Sequence, residues 1–188
     1  MPTVTINGLP HYYEIMGSGE PLIMLHGASS SSQSLAQHFP ELSRHYQIIA
    51  PDRRGMGRSA HVVELPPNAW TKDLLELLDY LGIERAHIYG VSLGSRITLR
   101  FAIDHPERVK SLILDMAVVA NEGPGNEALN KRFTLEGMPE EQKQNYQRFH
   151  GDDWEPVVAN YFKTRNDPEL QEHYNLRELF SQVTVPVL

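Results

Sequence analysis

From residue 21 to residue 114 the chain alternates short apolar runs with longer amphipathic segments, and this alternation restricts it to few folds. The runs at 21–25, 47–50, 86–89 and 111–114 have the length of strands buried on both faces of a sheet. Between them lie segments of helical period. Trp70, Leu74, Leu77, Leu78 and Leu81 form one stripe over 68–81, with Asn68 placed to cap the start and Gly82 to end it. Leu35, Phe39 and Leu42 share helical spacing over 33–43, and 93–104 reads as a further helix that stops before Pro106. Strand–helix alternation predicts an α/β fold with a mostly parallel sheet and helices on both faces. Ahead of it, residues 4–6 and 11–15 read as two strands joined at Asn7-Gly8, a hairpin signal.

The character changes near residue 120. Gly123-Pro124-Gly125 opens a polar, largely helical stretch that carries Phe133, Tyr146, Phe149, Trp154, Tyr161, Phe162, Tyr174 and Phe180. Residues 183–188 then resume strand character. The expected organisation is a core over 1–119, a helical insertion over 120–181, and the start of the next core strand at 182–188. No internal repeat interrupts it.

Composition excludes several classes. At 188 residues and 40% hydrophobic, the chain can bury the core of one domain. Its formal charge is −7, and its densest basic spot is Arg53-Arg54 with Arg58, so no nucleic-acid partner is expected. It has no cysteine, which removes disulfides, thiol catalysis and thiolate metal sites. No signal peptide or membrane-length apolar run is visible, so the expectation is a soluble cytoplasmic protein without a membrane partner.

Chemistry concentrates at Gly90-Val91-Ser92-Leu93-Gly94, a G-x-S-x-G pattern between a strand and a helix. At such a junction a sharp turn lifts the serine hydroxyl above the sheet edge. The flanking Gly90 and Gly94 permit strand and helix to approach closely. The helix N-terminus adds free N–H groups and partial positive charge. Ser92 is therefore the candidate nucleophile. An oxyanion hole needs two N–H donors. One is assigned to Leu93, and the other to the loop after His26-Gly27, at Ala28. His26 is read as a brace for that loop, together with Gly27, and not as a base. Ser29 to Ser32 either contact substrate or cap a helix. Asp52, in Asp52-Arg53-Arg54-Gly55-Met56-Gly57-Arg58-Ser59, is read as the organiser of a glycine-rich turn, with a catalytic acid as the alternative; Asp115 is a weaker rival for that acid. His105, His150 and His173 read as surface residues. No metal cluster or phosphate cradle stands out, so no cofactor is expected, and the partner is a small-molecule substrate.

These pieces in this order resemble the α/β-hydrolase superfamily, of the lidded esterase, lactonase and C–C hydrolase type. The resemblance rests on Leu25-His26-Gly27-Ala28, the Asp52–Ser59 octapeptide, the Ser92 pentapeptide, His105-Pro106-Glu107-Arg108-Val109 and Ser111-Leu112-Ile113-Leu114. It implies that 120–181 form a cap over the site. It implies a serine hydrolase working through an acyl-enzyme, with the catalytic acid and histidine beyond residue 188. The chain then corresponds to a fragment, inactive or only trace-active alone. A serine at position 92 argues against the dehalogenase and epoxide-hydrolase branches, which use aspartate there. A non-hydrolytic use of the same site, as a lyase, a cofactor-free oxidative enzyme or a ligand receptor, is the alternative, because fold does not fix function.

Overall fold

The computed structural model describes residues 2–117, 119–120 and 134–188. The chain opens with a hairpin of β1 (Thr3–Ile6) and β2 (Leu9–Met16). Asn7 and Gly8 both take positive φ, 49° and 77°, as the two central residues of a tight hairpin turn must. Then come β3 (Glu20–Leu25), β4 (Tyr46–Pro51), β5 (Ala86–Val91) and β6 (Val109–Asp115). The strands lie in the order β1-β2-β4-β3-β5-β6. β2 runs antiparallel to β4, whereas β3 pairs in parallel with β4 and β5, and β5 with β6. This is the mostly parallel α/β sheet that the alternation predicts. Along the free side of β6, Leu112 N–H donates to Pro186 and Leu188 N–H to Leu112, both at 2.9 Å, so 186–188 join the sheet in parallel.

The period of two along the strands sorts the core onto two faces. Ile23, Leu25, Ile49 and Ile88 point to one side, where they meet α2 (Ala69–Tyr80) and α3 (Leu93–Asp104). Leu22, Met24, Ile48 and Ala50 point to the other, under Leu35 and Phe39. That second cover is not one regular helix. Ser32–His38 is a 3-10 turn, and only α1 (Phe39–Leu42) is α-helical. Pro40 lacks an N–H, and the Ser34 hydroxyl donates to the Ser31 carbonyl at 2.8 Å, so local bonds compete with the helical ladder. The cover is short, and a groove of about 540 Å³ remains over Leu22, Met24, Tyr89 and Ile113.

Asn68 does not cap α2 with its side chain. The Ala69 N–H is taken by the Pro66 carbonyl at 2.9 Å, a turn that leads straight into the helix. Gly82 does end the helix, at φ 66°, with the Ile83 N–H returning to Leu78. In the 120–181 segment, residues 121–133, including Gly123-Pro124-Gly125 and Phe133, lie outside the described residues. The rest forms α4 (Glu140–His150), α5 (Trp154–Thr164) and α6 (Pro168–His173). Tyr146, Val157, Val158, Tyr161 and Phe162 pack with Met56 and Met138 into a separate apolar cluster that also touches Ala28 and Leu93. Among the described residues no helix is long and apolar enough to cross a membrane.

One buried carboxylate ties the hairpin, the glycine-rich turn and α2 together. Asp73 accepts from Arg54 Nε and Asn7 Nδ2, each at 2.9 Å, with His11 Nε2 at 3.6 Å. Replacing it by alanine leaves the Arg54 guanidinium buried without its carboxylate. Asp73→Ala is therefore expected to cost about 3 kcal/mol in urea denaturation, against about half that for Asp73→Asn. Equal stability of Asp73→Ala and the parent chain would show that the pair is not structural.

Candidate active site

β5 delivers Ser92 onto a strained turn. Ser92 has φ 53° and ψ −114°, a conformation that costs a non-glycine residue about 1–3 kcal/mol and persists only when its surroundings dictate it. Those surroundings are visible. The Ser92 N–H donates to the Asp115 carbonyl at 2.9 Å, which ties the turn to the end of β6. The Ser92 carbonyl accepts from the Ser95 N–H at 3.0 Å and the Ser95 hydroxyl at 2.6 Å. The two glycines let α3 press against the sheet. A Cβ on Gly90 would lie 2.5 Å from the Gly94 carbonyl oxygen and the Thr98 hydroxyl. One on Gly94 would run into the carbonyl oxygens of Leu25 and His26. Leu93 is the first residue of α3, where N–H groups have no partner inside the helix.

β3 and β5 are parallel neighbours, with Leu25 paired to Gly90. Their C-terminal ends therefore deliver His26-Gly27-Ala28 and Ser92 side by side. A Cβ on Gly27 would sit 3.6 Å from the Val91 carbonyl and 3.7 Å from the Ser92 Cβ. The structure thus brings Ser92, Leu93, Gly90, Gly94, Gly27 and Ala28 to the C-terminal ends of β3 and β5, and Ala28 and Leu93 share contact with the apolar cluster around Val158 and Tyr161.

His26 is wholly buried at this edge. Its Nε2 accepts the Arg53 N–H at 3.2 Å, so the ring proton sits on Nδ1, which faces the Gly27 carbonyl at 2.9 Å. Burial, then the nearby Arg53 cation, holds its pKa well below the usual histidine range. Arg53 Nη2 also donates to the Gly27 carbonyl at 2.5 Å, and the guanidinium lies 5.1 Å from the centre of the Trp70 ring. Burial lowers the Arg53 pKa to about 10. The carboxylate of Asp52 is committed to the backbone: it accepts from Ser32 N–H at 2.7 Å and Arg58 N–H at 2.8 Å. Asp115 accepts the Tyr89 hydroxyl at 2.7 Å, and burial together with that bond raises the Tyr89 pKa to about 12. Among the described residues, neither carboxylate and no histidine hydrogen-bonds the Ser92 hydroxyl, and no three His, Asp or Glu side chains are grouped to hold a metal ion.

One site residue escapes the sequence reading. His150, expected at the surface, is only 3% exposed. Its Nδ1 accepts the Gly57 N–H at 2.9 Å, so Nε2 carries the proton and faces the Ser29 carbonyl at 3.3 Å. The Gly57 carbonyl in turn meets His61 Nε2 at 2.8 Å, and His61 Nδ1 meets Asp153 at 2.6 Å. Two histidines thus tie the N–H and the carbonyl of Gly57, in the glycine-rich turn, to residues 150 and 153. The available signal was the spacing of Tyr146 and His150, four apart on one stripe of α4. His173 is half-buried, and His105 caps α3 with its ring 5.1 Å from Phe101.

Burial brings the His150 pKa down to about 4. The folded chain then resists a proton that the unfolded chain accepts near pH 6.5, so this contribution to stability is complete above pH 6.5 and is lost as pH falls toward 4. His150 alone accounts for about 2 kcal/mol between pH 6.5 and 5. The depressed His26 acts in the same direction. Urea midpoints should fall steeply over that interval and less steeply in His150→Gln. A flat profile would contradict the buried, neutral ring.

A family model described as alpha/beta hydrolase fold matches residues 20–181. The chain is 34% identical over 120 residues to a 2-hydroxy-6-oxo-2,4-heptadienoate hydrolase of Pseudomonas putida, covering 61% of this chain and 44% of that one. It is 37% identical over 120 residues to a fluoroacetate dehalogenase of Burkholderia, covering 60% and 38%. The chain therefore spans less than half the length of these curated relatives. The enol-lactonase of Burkholderia xenovorans superposes with a TM-score of 0.77 at 20% identity, over 99% of this chain and 79% of that one. An esterase from Thermogutta terrifontis gives 0.76 at 20%, over 99% and 77%. The family match over most of the chain, on a sheet whose β5–α3 turn carries Ser92, makes this chain a member of the α/β-hydrolase superfamily.

Proposed function

We propose that the protein is a serine hydrolase acting on an ester, lactone or related carbonyl substrate through an acyl-enzyme at Ser92. The observation that carries this reading is the Ser92 turn itself, at φ 53°, with Leu93 opening α3 on one side and Ala28 in the loop beside it. Strain in a non-glycine residue at the end of a parallel strand is what lifts a hydroxyl clear of the backbone. The Leu93 and Ala28 amides are the proposed donors to the negative charge that develops on the attacked carbonyl oxygen. His26, Gly27, Gly90 and Gly94 support them. A serine at its ordinary pKa is a weak nucleophile and requires a base. With Asp52 and Asp115 engaged elsewhere, the proposal places the acid and the base beyond residue 188. The relatives are named as a dienoate hydrolase and a fluoroacetate dehalogenase, so their names differ in the substrate.

The acyl-enzyme reading is tested with a fluorophosphonate probe on the full-length protein. Attack by Ser92 Oγ on phosphorus would expel fluoride and leave a stable adduct on a peptide containing Ser92. Ser92→Ala should abolish labelling and lower kcat for a p-nitrophenyl ester by at least about 10³-fold. Turnover that survives Ser92→Ala, or an adduct on another residue, would overturn it. Residues 1–188 alone should hydrolyse the same ester at no more than trace rate, since the oxyanion hole and binding give only a small residue of catalysis without a base.

A further inference from the structure

We propose that His150, on the cap, is a positioning residue for the oxyanion loop: it holds the Ser29 backbone, and through it the Ala28 amide, in the orientation that faces Ser92. The inference rests on the serine-hydrolase reading for its consequence in catalysis, but its geometry stands apart from it.

Ser29 follows Ala28 directly and has φ 48°, a left-handed conformation in a residue with a side chain. Such a conformation relaxes unless something fixes it. The Ser29 side chain does not: its hydroxyl is buried, and has no hydrogen-bond partner among the described residues. The Ser29 carbonyl instead receives His150 Nε2. The other side of the imidazole is fixed, because Nδ1 accepts the Gly57 N–H. Gly57 is itself held against Asp52, because the next N–H, that of Arg58, donates to the Asp52 carboxylate at 2.8 Å. Asp52 Oδ1 in turn accepts from Ser32, three residues after Ser29. The ring therefore bridges a rigid turn to a strained loop, and it arrives from the cap. Tyr146 and Phe149 pack around it, at 6.1 and 6.2 Å between ring centres. The cap thereby sets the oxyanion loop, through one hydrogen bond, on top of covering the site.

The two nitrogens of the ring can be imitated separately. Glutamine places an N–H donor near the position of Nε2 and can reach Ser29. Asparagine places an oxygen near Nδ1 and can reach Gly57 only. His150→Asn should lower kcat by about tenfold or more with KM changed by less than about threefold, because a donor in the oxyanion hole is misdirected while the pocket stays covered. His150→Gln should recover kcat to within about threefold of the parent. Hydrogen exchange at the amides of residues 28–30 supplies a readout independent of turnover: faster in His150→Asn, near the parent rate in His150→Gln. Unchanged exchange at these amides in His150→Asn, or equal kcat and KM losses in both variants, would overturn the proposal and leave His150 as cap packing alone. If Ser92→Ala retains activity, the serine reading fails, and the exchange measurement still decides the positioning role.

Discussion

The closeness of α3 to the sheet is the constraint on which the rest of this structure depends. Two side-chain hydrogens, at Gly90 and Gly94, allow the helix to start immediately over the ends of β3 and β5. Only at that distance does the chain between them close into a single residue, Ser92, with the φ and ψ of a sharp turn. The parallel register of β3 against β5 then fixes what lies beside it, because Leu25 and Gly90 are paired and their successors leave the sheet together. The placement of Ser92, the N-terminus of α3 and the His26–Ala28 loop follows from one packing contact.

A second theme is the burial of cationic and titratable side chains around this edge. Arg53, Arg96, Arg165, His26 and His150 are all less than about a tenth exposed. Desolvation favours the neutral form of the two imidazoles, and each is locked in one tautomer by a backbone N–H that it accepts. The guanidinium groups are accommodated by carbonyl oxygens and aromatic faces: Arg96 donates to the Tyr174 carbonyl, and Arg53 lies over Trp70. Polar groups thus connect the sheet's loops to the helices of residues 140–173, beside the apolar cluster around Val158 and Tyr161.

Much of this was legible in the sequence because its signals are local. Asn7-Gly8 announces a hairpin through its own backbone preferences, and the Ser92 pentapeptide announces its turn through glycine spacing. The stripe from Trp70 to Leu78 marks α2 through burial period. Signals failed where a distant or competing bond decides. Residues 32–42 have helical spacing, yet serine hydroxyls and Pro40 divide them into a 3-10 turn and one α-helical turn. Asn68 has the chemistry of a cap, but at φ −91° and ψ 6° it lies outside the extended conformation of a capping residue, and its side chain makes no cap bond. His150 lies 93 positions from Gly57 and 121 from Ser29, so its burial depends on how α4 docks. That contact is tertiary, and no local pattern encodes its partners.

The central claim is geometric: Ser92 attacks, and the Ala28 and Leu93 amides receive the charge. A crystal structure of the full-length protein with a phosphonate adduct tests it most directly, because the phosphoryl oxygen marks where an oxyanion would sit. The account predicts phosphorus bonded to Ser92 Oγ and that oxygen within about 3 Å of both amide nitrogens. An adduct on Ser92 whose oxygen points away from Ala28 and Leu93, or an adduct on any other residue, would contradict it.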